Sequence, residues 1–314
     1  MYPFPVEALL NSVQKRLAEA QTVDLYRGIE NGLKNDIQLI DRDGAYTEIA
    51  SVSPQGQVYL SLAYCQFLLL MCHIGLIVHE SIAMESKFKG LTEDERVSFR
   101  NSLEDDNSRN CYLRDIPDFE SAVKYCSGLI DIARPLLTAN PLTQQEFDDI
   151  LRAVDYNSPI AISANSLCVY GIVFTLLHEA SHVILGQDLM KKGTVQEEIE
   201  ADHNAFWALS NDLEGKQRNT AMMGCICALT SLLFFNPGLT PDENFPHPRE
   251  DDRLFSFYDI LKSEKNSYTE MITILLAAWA TTFHVENFPV LSLSYEDSLA
   301  RQRSFLSSIG RVEA

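Results

Sequence analysis

The sequence predicts a mainly α protein with a small β-sheet, an α+β arrangement, and three observations lead there. Apolar stretches of helical length recur at 60–78, 171–186, 221–235 and 268–283. One segment, EIASVSPQGQVYLS, places β-branched residues on both sides of a Pro/Gly turn. Apolar residues make up 46 % of the 314-residue chain, enough for one large core or two lobes.

Taken in order, residues 1–24 show no basic segment followed by an apolar run and a small-residue cleavage site, so no signal peptide is expected. LLNSVQKRLAEAQTV reads as an amphipathic first helix, and Thr47–Ser53 and Gln57–Ser61 as hairpin strands around SPQG. Leu60–Val78 is long enough to span a membrane. Gln66, His73 and the His79–Glu80 end favour a buried core helix instead, with no basic flank to set an orientation. His73 and His79 read as satisfied core or helix-end histidines. Residues 84–118 are charged and turn-rich, Phe119–Leu137 is helical, and Thr143 is positioned to cap a helix over QQEFDDILRAV. A lobe boundary is expected near 155, between an N-terminal helical lobe with the hairpin (1–155) and a second lobe (156–314).

A net charge of −19 opposes nucleic-acid phosphates and anionic lipid, so neither is an expected partner. Seven cysteines without CxxC spacing fit reduced thiols and a cytoplasmic location.

The chemistry concentrates in Gly171–Gly186, GIVFTLLHEASHVILG. On a helix His178 and His182 lie one turn apart on one face, so both imidazoles reach a single metal ion. Glu179, next to the first histidine, can hold the attacking water as general base. Burying three ionisable groups among Val173, Phe174, Leu176, Leu177, Val183 and Ile184 without metal or charge partners is costly. A catalytic zinc needs a third protein ligand, and VQEEIEADHNAFWAL follows at once. There Glu198 and Asp202 share a helical face while Glu200 points away. Glu198, 16 residues after His182, is the expected third ligand; Asp202 can accept the free ring N–H of a liganding histidine. A Pro-rich loop then carries His247 and Arg253, candidates with Tyr170 for steadying the oxyanion. The sequence leaves that choice open, and Arg253 is equally suited to pairing with Asp251, Asp252 or the acids of the site.

HEASH, EIEAD and HPREDDRL in that order resemble the gluzincin metallopeptidases, most of all the group that includes HtpX and the CAAX prenyl peptidases. The resemblance covers residues 170–255 and implies a zincin-like fold with His178, His182 and Glu198 as zinc ligands. It further implies Glu179 as general base and Asp202 as the acid behind the ligands. Those relatives carry several membrane spans, whereas only Leu60–Val78 is a span candidate in this reading, so a soluble relative is expected. Size and leader suggest the Lit-type phage-exclusion peptidases, which implies an intracellular protein or peptide substrate such as a host translation factor. Gluzincin folds also place a substrate-pairing edge strand upstream of the histidine helix, and Pro159–Asn165 is the stretch available for it. The expected activity is zinc-dependent endopeptidase; the alternative is a non-catalytic metal-binding regulatory protein.

Overall fold

The computed structural model describes residues 5–20, 37–40, 49–53, 57–88, 91–92, 94–95, 119–138, 141–143, 145–146, 159–185, 194–235, 249–261, 266–290 and 294–309. Helices dominate, and one three-stranded mixed sheet accompanies them. The hairpin forms as expected: β2 (Ala50–Val52) runs antiparallel to β3 (Val58–Ser61), in the register Val52↔Val58 and Ala50↔Leu60. An additional strand, β1 (Ile37–Ile40), pairs parallel to β3, giving the order β1-β3-β2 with β2 at one edge. The sequence alone does not reveal β1, whose IQLI is too short to show a period.

β3 leads directly into a helix over Leu62–Phe88. Ala63 to Ile74 are buried without a break, so this part of the helix is apolar all round because it is enclosed all round. His79 pairs with Glu270 at 3.0 Å and is satisfied as expected, although the helix runs on to Phe88 and His79 is not at its end. His73 differs from expectation: neither ring nitrogen has a partner among the described residues, and burial pushes its pKa down to about 4. It is held as a neutral ring.

The HEASH segment belongs to a single helix over Pro159–Ile184. This corrects the expected edge strand at Pro159–Asn165, which forms the first turns of the same helix. Proline is tolerated in a first helical turn, and Ala161 and Ala164 are buried at a spacing of three, a helical rather than a strand period. The helix packs against the Leu62–Phe88 helix, the Val195–Ser210 and Gly215–Phe235 helices, the first helix (Pro5–Ala20) and β2. Helices over Phe119–Ile132, Glu250–Leu261, Asn266–Thr282 and Tyr295–Ser308 complete the packing. Pro135 starts a separate short helix at Arg134–Leu137.

The two apolar helices cross at Gly171 and Gly224, where the backbones nearly touch. A Cβ on Gly224 would lie 2.6 Å from the Leu167 carbonyl oxygen and 3.0 Å from the Gly171 nitrogen. Only hydrogen fits there. Among the described residues three helices, not one, are long and apolar enough to cross a membrane, over Leu62–His79, Ile160–Ile184 and Gly215–Phe235, and most of each is buried inside the protein. Six cysteines are free and buried; Cys111 and the expected boundary at 155 lie outside the described residues.

Candidate metal centre

The HEASH helix and the following acidic helix bring their polar side chains together in an apolar surround. His178 and His182 stack edge to face, one turn apart, with ring centroids 4.7 Å apart and Nε2 atoms 3.1 Å apart. The acidic helix, Val195–Ser210, begins at a capping box: the Thr194 hydroxyl accepts from the Glu197 N–H, and the Glu197 carboxylate from the Thr194 N–H. The cap occupies Glu197 and leaves its neighbour Glu198 to face the histidines. One Glu198 oxygen lies 3.3 Å from His178 Nε2, the other 3.5 Å from His182 Nε2. Glu200 is exposed, as its helical phase predicts.

The three donors lie within 4.8 Å of one another, and all three residues are buried. A tetrahedral zinc with bonds of about 2.0–2.2 Å sets its ligand atoms about 3.3 Å apart. The Nε2 atoms at 3.1 Å, with one Glu198 oxygen 3.3 Å from His178 and the other 3.5 Å from His182, are of that order, so the three side chains converge closely enough to share one ion. Two imidazoles and one carboxylate are also a donor set suited to zinc.

Behind the triangle, Asp202 Oδ1 accepts from His178 Nδ1 at 2.8 Å, which fixes the ring and turns Nε2 toward the gap. Arg253 reaches in from the Glu250–Leu261 helix and donates to both Asp202 oxygens, Nη2 to Oδ1 at 2.7 Å and Nε to Oδ2 at 2.9 Å. Its Nη1 stands 3.7 Å from Glu198. Burial alone would raise the Asp202 carboxyl, yet Arg253 and His178 hold it well below the usual carboxylate range. Burial and Arg253 push His178 down; Asp202 and Glu198 outweigh them and hold it up at about 9.

Glu179 is half-buried on the same helix, beside this cluster. One turn earlier, Thr175 shares a 3.0 Å hydrogen bond with the Tyr64 hydroxyl, which ties the first turn of the Leu62–Phe88 helix to the HEASH helix. Tyr170 is not brought to the centre. It lies two turns back, about 12 Å along the helix axis, with its ring under the Arg16 guanidinium at 5.3 Å and its hydroxyl buried without a partner among the described residues. His247, with residues 236–248, lies outside the described residues.

Two residues of the site's framework are absent from the sequence-based expectations. Thr194 carries a readable signal, Thr-x-x-Glu ahead of a helix. Arg249 carries none: it bonds Asp251 through two nitrogens, at 2.9 and 3.0 Å, and donates to the Leu306 and Ile309 carbonyls. It thereby moors the start of the Arg253 helix to the end of the last helix.

A family model described as Peptidase U49 matches residues 95–273, more than half of the chain and the whole of this cluster. No curated protein and no solved structure matches the chain.

Proposed function

The chain belongs to the peptidase U49 family, and from that premise we propose that it is a zinc-dependent endopeptidase of the gluzincin type. Its substrate is a protein or peptide, as the family implies; we read the enzyme as Lit-like and cytoplasmic, acting on an intracellular protein. The observation that carries the zinc reading is the buried convergence of His178, His182 and Glu198, whose ligand atoms lie within 4.8 Å of one another.

When bound there, zinc supplies Lewis acidity to the scissile carbonyl and lowers the pKa of water. The chain's own residues do the rest. His178 and His182 would hold the ion through their Nε2 atoms and Glu198 through its carboxylate. Glu179, adjacent in sequence but half-exposed, accepts the proton of the attacking water and returns it to the leaving amine. Asp202 keeps the His178 ring in the tautomer that ligates. β2 packs on the HEASH helix and, among the described residues, pairs with β3 alone. We assign its outer edge, unpaired among the described residues, to an extended substrate backbone, the part expected of Pro159–Asn165 from the sequence.

The test is cleavage of a peptide mixture, read as new N-termini, by zinc-loaded wild type and by Glu179→Gln. Cleavage in wild type, lost in the variant while zinc is retained, supports the reading. Zinc-loaded wild type that cuts nothing favours a non-catalytic metal-binding protein.

A further inference from the structure

Glu198 and Asp202 are one helical turn apart, both buried, and aimed at the same small volume. Two carboxylates in that position repel each other and lose their hydration. Arg253 answers both. Two of its nitrogens close on Asp202 at 2.7 and 2.9 Å, and the third faces Glu198 at 3.7 Å. Asp202 Oδ1 is shared, taking His178 Nδ1 at 2.8 Å from one side and Arg253 Nη2 at 2.7 Å from the other. The guanidinium edge that would grip an oxyanion is thus occupied. Glu179 also acts electrostatically on Arg253. Three carboxylates stand against the guanidinium and the His178 ring, and a divalent cation makes up the deficit.

We infer that Arg253 is a positioning residue that serves as the site's resident counter-cation, holding Asp202 and Glu198 in place so that the ligand triangle is assembled before metal arrives. The inference rests on the zinc reading above, and extends it to the metal-free protein. Arginine suits this role because its planar fork meets a carboxylate through two bonds, which a lysine ammonium does not.

The full chain is melted in chelator and with one equivalent of zinc, as wild type, Arg253→Gln, Arg253→Lys and the double variant Arg253→Gln/Asp202→Asn. Metal-free Arg253→Gln is expected to melt lower than wild type by about 5 °C or more. Zinc should restore most of that loss, so the zinc-induced shift is larger in the variant than in wild type. Arg253→Lys should recover part of the loss. Neutralising Asp202 in the Gln background should raise the metal-free melting temperature again. Equal losses in metal-free and zinc-loaded protein, or no recovery on neutralising Asp202, would mean simple packing and overturn the inference. If Arg253→Gln does not fold without metal, refolding with zinc present is expected to rescue it, and failure there also overturns the inference. Zinc that leaves the wild-type melt unmoved defeats the zinc reading instead; the rescue by Asp202→Asn in metal-free protein then still decides the part played by Arg253.

Discussion

Glu197 and Glu198 are adjacent and identical in chemistry, yet one closes a helix cap while the other faces two histidines. Their division of labour follows from the 100° step between successive helical residues. It predicts different phenotypes. Glu198→Ala should abolish tight metal binding, whereas Glu197→Ala should cost about 1 kcal/mol of stability, as for loss of a cap, and leave the metal in place. The His178 proton makes a second prediction. In metal-free protein its pKa is held up at about 9, so at neutral pH zinc must displace a proton to bind. Zinc affinity should therefore rise about tenfold per pH unit until about pH 9 and flatten above it. Metal-free stability moves the other way. The folded value lies above the ordinary 6.5, so the contribution of the protonated ring is complete below about pH 6.5 and is lost as pH climbs through about 9. Competition titrations from pH 6 to 10, with denaturant melts in chelator, check both slopes; an affinity independent of pH would contradict the proton count. At this scale the sequence is informative because helical spacing alone brings His178, His182, Glu198 and Asp202 onto facing surfaces. Arg253 has two open readings in sequence, and only the fold shows its guanidinium closed on Asp202. Tyr170 is legible as a tyrosine near the motif in sequence, but eight residues of helix carry it well away in space.

The HEASH helix is held from several sides, and the tightest contact is the crossing at Gly171 and Gly224. A methyl group at Gly224 would meet the Leu167 carbonyl oxygen at 2.6 Å and Tyr170 Cβ at 2.8 Å, one of them backbone that cannot rotate aside. Gly224→Ala should therefore separate the two helices at a cost of about 1–3 kcal/mol, measurable as a lower urea midpoint. An unchanged midpoint would mean that the helices do not approach this closely. Nothing in the one-dimensional pattern marks either glycine, since an isolated glycine in an apolar run is ambiguous until its partner helix is known. The Pro159–Asn165 segment misleads for a related reason: short runs of apolar and small residues suit strand and helix alike, and here continuity with a strongly helical stretch decides. The SPQG hairpin is legible because turn chemistry and flanking β-branched residues agree. The parallel partner Ile37–Ile40 is not, because parallel pairing is a long-range contact that leaves no local mark.

The chain combines a net charge of −19 with, among the described residues, three mostly buried helices of membrane-spanning length and composition. Their burial against one another accounts for hydropathy that in isolation resembles a membrane span. The chain is accordingly expected to remain in the aqueous phase when a detergent solution is warmed to phase separation; recovery in the detergent phase would contradict that packing. The same enclosure gives the cluster its strength, because charges removed from water act on each other with little screening. The proposed metal centre would be a property of the intact fold, contributed by two helices and braced by a third. Its most direct test is elemental analysis of zinc per chain, on wild type and Glu198→Ala purified without added metal. About one zinc in wild type, sharply reduced in the variant, is the result expected of a three-ligand site. Wild-type protein that holds no zinc even when the ion is supplied would contradict the account at its centre.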